Sequence, residues 1–254
     1  MTPMPERSGE GVRGGGGRER VHREVVSFVR RSARMTDSQA KAWQAHAHRW
    51  VIEVPTRATS TSISPDAAVD WAEAFGRDAP LVVEIGPGKG ESLVAAALRD
   101  PERNHVGFEV YQPAVAATLV KLAKHDIGNV RLLMSDGVAG ISTLIPSGGL
   151  AELRTFFPDP WHKTSHHKRR LVNPAFADLV ASRLAPGGIW RLATDWENYA
   201  NWMRETLDPH PQLENVHGGW APRWEGRPMT KYEARGLAAG RTIRDLTYRR
   251  TDAT

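Results

Sequence analysis

Short apolar runs alternate with amphipathic segments along most of the chain. The runs at 81–86, 105–110, 130–136, 153–159, 189–195 and 242–250 predict strands, and the segments 92–100, 112–126, 139–145, 173–188, 196–207 and 229–240 predict helices. Strands that alternate with helices are typical of parallel strands joined by crossover helices. The pattern therefore predicts an α/β fold with a doubly wound, mostly parallel sheet.

The N-terminal part of the chain has a different character. Residues 1–24 are rich in glycine and charge, which predicts a disordered leader, and we interpret 25–254 as a single domain with an N-terminal helical extension. Thr36 and Gln39 have the spacing of a capping box at the start of that helix. Three arginines before it, at positions 30, 31 and 34, form a candidate phosphate-binding patch.

The charge balance and the absence of cysteine limit the functions that this chain can have. Lys and Arg outnumber Asp and Glu by 34 to 29 in 254 residues, and a pI of about 9.7 favours a polyanionic partner such as nucleic acid. The chain has no cysteine, which excludes disulfides, thiolate metal sites and cysteine nucleophiles. Neither a long apolar span nor a signal-peptide pattern occurs in the sequence, so we expect a cytoplasmic protein.

A glycine-rich turn directly follows the first predicted strand. Gly86, Gly88 and Gly90 allow backbone amides to approach a ligand closely at the carboxyl edge of the sheet. Dinucleotide-binding turns usually carry a third glycine or alanine where this chain has Glu91, and an anionic side chain there would crowd a pyrophosphate. S-adenosyl-L-methionine, which is cationic and has no phosphate, is the better candidate.

Acidic residues accompany the first three predicted strands. Glu84 lies in the first strand, and Glu109 and Asp136 end the second and third. A carboxylate at position 109 can accept hydrogen bonds from both ribose hydroxyls of a nucleoside. A carboxylate at position 136 can accept a hydrogen bond from the adenine amino group. Each could instead cap a helix, but their repetition behind a glycine turn favours a cofactor site for S-adenosyl-L-methionine.

The segment "FFPDPWHKTSHHKRR" (156–170) ends the fourth predicted strand. Pro158 and Pro160 restrict the backbone on both sides of Asp159, as a preorganised carboxylate requires. Trp161 offers a face on which a base can stack. The cations and histidines that follow have the charge and polarity to contact phosphates, and we interpret the histidines as RNA-facing side chains and predict no metal site.

Four segments together resemble the bacterial tRNA (guanine-N(7)-)-methyltransferase family. They are "VVEIGPGKGE", "FFPDPWHKTSHHKRRLV", "LATDWENYANWM" and "RPMTKYEARG", and "SFVRRSARMTDSQ" resembles the N-terminal segment of that family. The resemblance covers residues 28–250. It implies a class I (Rossmann-like) methyltransferase fold with a seven-stranded sheet, and methylation of a guanine in the tRNA variable loop, position 46 in standard tRNA numbering.

The resemblance also implies roles for individual residues. Asp159 matches the catalytic aspartate, which also lies near the cofactor, and Glu84, Glu109 and Asp136 match cofactor positions. The implied substrate-binding residues are Lys163, Asp195, Thr230, Lys231, Tyr232 and Glu233. Contacts with RNA fall on Ser165, His166, His167, Lys168, Arg169 and Arg170. A monomer and a homodimer are both compatible with the sequence.

Three other interpretations remain open on the sequence. An exocyclic-amine methyltransferase would place two prolines after its acid, and only Pro160 follows Asp159 here. A tRNA-binding module could hold S-adenosyl-L-methionine without transferring its methyl group, which the intact acids disfavour. An NAD-dependent dehydrogenase is disfavoured by Glu91.

Overall fold

A computed structural model describes residues 35–57 and 61–251 of the chain. Its α-helices are α1 (Asp37–Trp50), α2 (Trp71–Phe75), α3 (Glu91–Arg99), α4 (Gln112–Lys124), α5 (Gly137–Leu144), α6 (Pro174–Arg183), α7 (Glu197–Leu207) and α8 (Lys231–Ala238). A short 3-10 helix covers Thr164–Arg169. The strands are β1 (Leu81–Ile85), β2 (Asn104–Phe108), β3 (Val130–Leu133), β4 (Leu150–Phe156), β5 (Leu184–Thr194), β6 (Leu213–Asn215) and β7 (Arg244–Arg250). The predicted leader and the three arginines at 30, 31 and 34 lie outside the described residues.

All these strands belong to one sheet with the order β3-β2-β1-β4-β5-β7-β6. The first five strands in this order pair in parallel, and β7 is antiparallel to both β5 and β6. The predicted doubly wound, mostly parallel seven-stranded sheet is thus confirmed. Strand β6 has only three residues, too few for an alternating pattern to identify it from the sequence.

Helices cover both faces of the sheet. Leu132 and Leu133 are consecutive in β3, so their side chains point to opposite faces, and they belong to two different apolar clusters. The cluster that contains Leu132 is completed by α1, α3 and α4, and the cluster that contains Leu133 by α5, α6 and α7. A core on each side explains why most strand positions are buried.

The N-terminal helix begins where the capping-box spacing predicted. The Thr36 hydroxyl accepts from the Gln39 amide, and the Gln39 side chain accepts from the Thr36 amide. At the other end of α1, Trp50 is 1% exposed and its indole donates to the carbonyl of Ile127 at 2.6 Å. Directly after α1, Val51 pairs with Leu132 of β3 and the Ile52 amide donates to the Leu132 carbonyl, which attaches the helix to the edge of the sheet.

Several predicted boundaries are wrong. Strands β3 and β4 end three residues before Asp136 and Asp159, respectively, so both acids lie in loops. The helix predicted for 173–188 stops at Arg183, and Leu184–Gly188 begin β5 with an irregular pairing to β4. Pro186 has no amide hydrogen to donate within a helix, and Gly187 has a left-handed φ of 75°. The last predicted helix, 229–240, is shorter at both ends.

We expect His105 to make the stability of the fold depend on pH. This β2 histidine is fully buried, and its Nε2 lies 3.2 Å from the carbonyl oxygen of Asp100. Burial and then the positive charge of Arg154 lower its pKa from 6.5 to about 4. As the pH falls, His105 is protonated near pH 6.5 in the unfolded chain but only near pH 4 in the folded protein. The contribution of His105 to stability is therefore lost as the pH falls from about 6.5 towards 4.

The effect is measured as a difference between two proteins. Between pH 7.5 and pH 5, the wild type should lose about 2 kcal/mol of unfolding free energy relative to His105→Gln, which urea titration can resolve. Buried Glu84, whose raised pKa gives an opposite slope, is common to both proteins and cancels. Exposed His125 supplies the control: His125→Gln should follow the wild type at both pH values. Parallel curves for the wild type and His105→Gln would contradict the prediction.

Candidate active site

The sheet places four loops at one edge. Parallel strands β1 and β4 lie side by side, but the chain continues from β1 to β2 on one side and from β4 to β5 on the other. Hydrogen bonds connect the loops at the carboxyl ends: Gly86 donates to Phe108 at 2.8 Å, and Phe157 donates to Ala193 at 2.7 Å. The loops that carry Gly86, Glu109, Asp159 and Asp195 therefore begin beside one another.

The glycines after β1 differ in what surrounds them. Gly86, Gly88 and Gly90 all have left-handed φ angles, of 64°, 58° and 76°. A Cβ added at Gly86 or Gly88 would meet no atom of residues 35–57 and 61–251 within 4 Å, so the turn is open with respect to the described part of the chain. A Cβ at Gly90 would lie 2.5 Å from the Thr118 side chain. Gly86 and Gly88 leave room for a ligand, whereas Gly90 allows α3 and α4 to pack closely.

Glu84 is a buried acid beneath this turn. It is 3% exposed, and its Oε2 has no hydrogen-bond partner in the described part of the chain. Burial raises its pKa to about 7, although Arg154, opposite it on β4, opposes the shift. A buried carboxylate with an unused acceptor atom is suited to a ligand that brings a donor or a positive charge.

Glu109 follows β2 and holds the glycine turn. Its Oε2 accepts from the amide of Gly88 at 3.0 Å and its Oε1 accepts from the amide of Tyr111 at 2.9 Å. Burial raises the pKa of Glu109, and the backbone donors oppose that shift. Glu109 is thus brought next to Gly88, as the predicted cofactor site requires.

Asp136 lies beyond β3 and caps α5. Its Oδ1 accepts from the amides of Val138 and Ala139 at 2.9 and 3.1 Å, and its own amide donates to Thr61. The helix-capping alternative considered for the three acids is therefore realised at Asp136. The cap also fixes the side chain at the same edge of the sheet as Glu109.

Asp159 is exposed in a strained loop. Phe157 and Trp161, two residues to either side, have left-handed φ angles of 51° and 47°, which side chains other than glycine rarely adopt. The rings of Pro158 and Pro160 fix the φ angles of these two residues, on either side of Asp159. Together these four residues present the carboxylate to solvent in a restricted conformation.

The predicted substrate residues Lys163 and Asp195 are not paired with each other. Asp195, after β5, accepts from the Nε and Nη2 atoms of Arg241 at 2.8 Å. The Lys163 side chain is exposed, and no carboxylate of the described residues forms an ion pair with it. Within the described residues, Lys163 therefore holds neither Asp159 nor Asp195 through an ion pair.

The predicted substrate segment at 230–233 divides into two parts. Thr230 caps α8 by accepting from the Glu233 amide, and Lys231 and Tyr232 are exposed, the latter at 64%. Glu233 is instead 1% exposed and accepts from the guanidinium groups of Arg223 and Arg227. Its carboxylate is occupied by a buried ion network, so it supports the segment from inside.

Sequence reasoning did not identify this network. Arg227 is fully buried, bridges Glu233 and Asp245, and lies 5.1 Å from the ring centroid of Phe156. It therefore connects α8 and β7 to the strand that precedes Asp159. The sequence signal was slight: Arg227 begins the segment "RPMTKYEARG", but an isolated arginine is usually a surface residue.

Most of the predicted RNA-contacting residues lie on the surface of the 3-10 helix. Ser165, Lys168 and Arg169 are exposed, and His166 and His167 are half-buried. The Arg169 guanidinium lies 5.0 Å from the ring centroid of Trp161. These side chains form a basic surface next to Asp159.

Arg170 departs from its neighbours. It is 1% exposed, and its guanidinium donates to the carbonyl of Pro160 and to the side chain of Asn198. The expected contact of Arg170 with RNA does not agree with this burial, because its donors face the protein interior.

The described residues offer neither a metal-binding cluster nor a membrane span. Within 35–57 and 61–251, no group of three or more His, Asp or Glu side chains is arranged to hold a metal ion. Across the same residues, no helix is both long and apolar enough to cross a membrane.

Comparison with solved structures supports the fold. The 16S rRNA (adenine(1408)-N(1))-methyltransferase from Catenulisporales acidiphilia superimposes with a TM-score of 0.50 at 20% sequence identity. The match covers 80% of this chain and 100% of that structure. At this identity the likeness concerns the architecture alone.

Comparison of sequences is more specific. The family model described as "Putative methyltransferase" matches residues 78–246. A tRNA (guanine-N(7)-)-methyltransferase from Cutibacterium acnes is 54% identical, with 92% of this chain and 86% of the relative covered. Another, from a Nocardioides species, is 48% identical over 98% of this chain and 99% of its own length. The chain therefore belongs to the tRNA (guanine-N(7)-)-methyltransferase family.

Proposed function

We propose that this protein transfers a methyl group from S-adenosyl-L-methionine to nitrogen-7 of the variable-loop guanine at position 46 of tRNA. The observation that carries the proposal is the convergence of an open glycine turn, a preorganised aspartate and a basic surface at one edge of the sheet. Similarity to named tRNA (guanine-N(7)-)-methyltransferases over more than nine-tenths of the chain supports the same reaction.

The residues around the glycine turn fit the proposed cofactor. Gly86 and Gly88 leave space for it, and the unused Oε2 of Glu84 suits its positive charge. Glu109 retains lone pairs beyond those used by the amides of Gly88 and Tyr111, because a carboxylate has about four acceptor positions. Asp136 follows β3 at the same edge of the sheet. Gly90 would contribute through packing. When bound, S-adenosyl-L-methionine supplies an electrophilic methyl group on a sulfonium sulfur.

Asp159 would act by positioning and electrostatics. Guanine nitrogen-7 has an in-plane lone pair and no proton, so methylation requires no general base to deprotonate it. The new bond places positive charge on the base, and a fixed carboxylate nearby stabilises that charge as it develops. Asp159 can also accept hydrogen bonds from the Watson–Crick edge of guanine and so orient the ring.

The surrounding side chains would hold the tRNA. Lys163, Ser165, Lys168 and Arg169 are exposed and can reach the phosphate backbone. His166 and His167 lie on the same short helix. Asp195 follows β5 and lies against Gly236 of α8, the helix whose first residues would supply the substrate contacts of Thr230, Lys231 and Tyr232. Glu233 would act through the ion network that fixes α8.

The organisation of the enzyme is also part of the proposal. The single sheet formed by all the described strands supports one catalytic domain over residues 25–254, preceded by a leader over 1–24. We place the reaction in the cytoplasm, where tRNA is available, with the enzyme acting as a monomer or a homodimer.

The reaction itself is tested with purified protein, labelled S-adenosyl-L-methionine and tRNA transcripts. We expect label in the tRNA and strand cleavage at position 46 after borohydride reduction and aniline treatment, since reduction of the cationic 7-methylguanine ring leads to loss of the base and aniline cleaves the chain at the abasic site. A transcript with adenine at position 46 is the matched control and should remain unlabelled. Equal labelling of both transcripts, or label in an exocyclic amine, would refute the proposed target.

Replacing Asp159 tests its assignment. Asp159→Asn should lower kcat by about a hundredfold, because it removes a charge that stabilises the transition state while preserving the shape of the side chain. Calorimetry should give an affinity for S-adenosyl-L-methionine close to that of the wild type. Asp178→Asn, at an exposed aspartate of α6, serves as the control for loss of one negative charge. Retained turnover in Asp159→Asn would remove this residue from the catalytic role.

Charge reversal tests the basic surface. Lys168→Glu/Arg169→Glu should weaken tRNA binding and reduce the slope of log affinity against log salt by about 0.7–0.9 for each phosphate that the protein no longer neutralises. Binding is measured by filter retention over a range of potassium chloride concentrations. An unchanged slope would show that these two side chains are solvated and do not contact the tRNA backbone.

A further inference from the structure

Arg170 is the last of the basic residues in "SHHKRR" but does not share their surface. Lys168 and Arg169 are exposed, whereas the Arg170 side chain is 1% exposed. An arginine is seldom buried to this extent, because its charge must leave water. No carboxylate of the described residues forms an ion pair with Arg170. Its burial therefore needs an explanation other than a salt bridge.

Three hydrogen-bonding contacts hold the guanidinium of Arg170. Its Nε donates to the carbonyl oxygen of Pro160 at 3.1 Å, and its Nη2 donates to the Oδ1 of Asn198 at 2.6 Å. The same Nη2 lies 3.0 Å from the Nε2 of His167. The guanidinium thus connects the loop after β4 to the first turn of α7 and to the 3-10 helix.

Aromatic rings enclose the same group. The centroids of the Tyr199 and Trp202 rings lie 4.8 and 5.4 Å from its central carbon. Both rings are themselves fixed by the segment after Arg170, since the Tyr199 hydroxyl accepts from the amide of Val172 and the Trp202 indole donates to the carbonyl of Val172. A planar guanidinium suits such a site, and a lysine ammonium does not.

The hydrogen bond from Arg170 to the Pro160 carbonyl lies directly beside the proposed catalytic residue, Asp159. Pro160 directly follows Asp159, and its carbonyl belongs to the peptide bond that leads into Trp161, whose φ is 47°. Neither Pro158 nor Pro160 has an amide hydrogen with which to anchor this loop. Burial and, more weakly, the charge of Asp159 raise the pKa of Tyr199, so Asp159 lies within electrostatic reach of the ring that covers Arg170. Arg170 therefore hydrogen-bonds to the backbone carbonyl of the residue that directly follows Asp159.

We propose that Arg170 is a positioning residue for methyl transfer: it holds the Asp159–Pro160–Trp161 turn from behind and does not contact the tRNA backbone. The inference rests on the proposed function, in which Asp159 stabilises the transition state. It assigns different tasks to two adjacent arginines, because Arg169 faces the polyanion and Arg170 faces the loop.

Conservative substitutions distinguish these tasks. Arg170→Lys keeps the charge but cannot bridge Pro160 and Asn198 between two rings, so kcat should fall by about ten- to a hundredfold, as expected for small misplacements of a catalytic group. The KM for tRNA and the salt dependence of tRNA binding should stay close to wild-type values. Arg99→Lys, at an exposed arginine in the last turn of α3, is the matched control for an arginine-to-lysine change and should leave kcat unchanged.

A double-mutant cycle tests the path of the effect. Asn198→Ala removes a partner of Arg170 without changing any charge and should lower kcat in the same direction. The double variant Arg170→Lys/Asn198→Ala should lose less than the product of the two single losses, because both changes release the same guanidinium. Strictly multiplicative losses would overturn the proposed path.

The outcomes separate this inference from the function on which it rests. Thermal melting and the affinity for S-adenosyl-L-methionine are measured for each variant, and Asn198→Ala keeps the test available if Arg170→Lys does not fold. Wild-type protein that fails to methylate guanine 46 would refute the proposed function. An active wild type with full kcat in Arg170→Lys, or with a flattened salt slope in that variant, would refute the positioning role alone.

Discussion

Strands β1 and β4 run parallel side by side, and the chain leaves them in opposite directions. This divergence places the glycine turn, Glu109, the Asp159 loop and Asp195 at the carboxyl ends of neighbouring strands, which is where α/β sheets generally bind ligands. The apolar clusters on both faces keep the strands in register, so the loops have fixed starting points. The proposed chemistry depends on this arrangement because residues as distant in sequence as Gly86 and Asp195 must act on one pair of ligands.

Buried arginines stabilise the loops that the sheet alone does not fix. Arg227 joins Glu233 on α8 to Asp245 on β7 and lies against Phe156, and Arg170 joins the Pro160 carbonyl to Asn198 on α7. Each guanidinium satisfies several acceptors in a fixed plane, which a flexible ammonium does not do. Two cations inside the protein thus support the exposed loop whose carboxylate is proposed to act on guanine.

The basic character of the chain therefore has two physical origins. Exposed cations such as Lys168 and Arg169 suit a polyanionic substrate, and buried ones such as Arg170 and Arg227 act as internal cross-links. A net charge of +5 does not distinguish these uses. Only the environment of each guanidinium does.

Local patterns of hydrophobicity, backbone freedom and charge were sufficient to predict the order of most strands and helices, the capping box at Thr36 and the glycine turn after the first strand. Only the tertiary structure shows that Asp136 caps α5 and that Gly90 packs on Thr118. It also shows that Glu233 and Arg170 are buried. The ion pair between Asp195 and Arg241 could not be predicted from the sequence either. The physical reason is that burial and partner choice depend on residues far apart in the chain, which come into contact only in the tertiary structure.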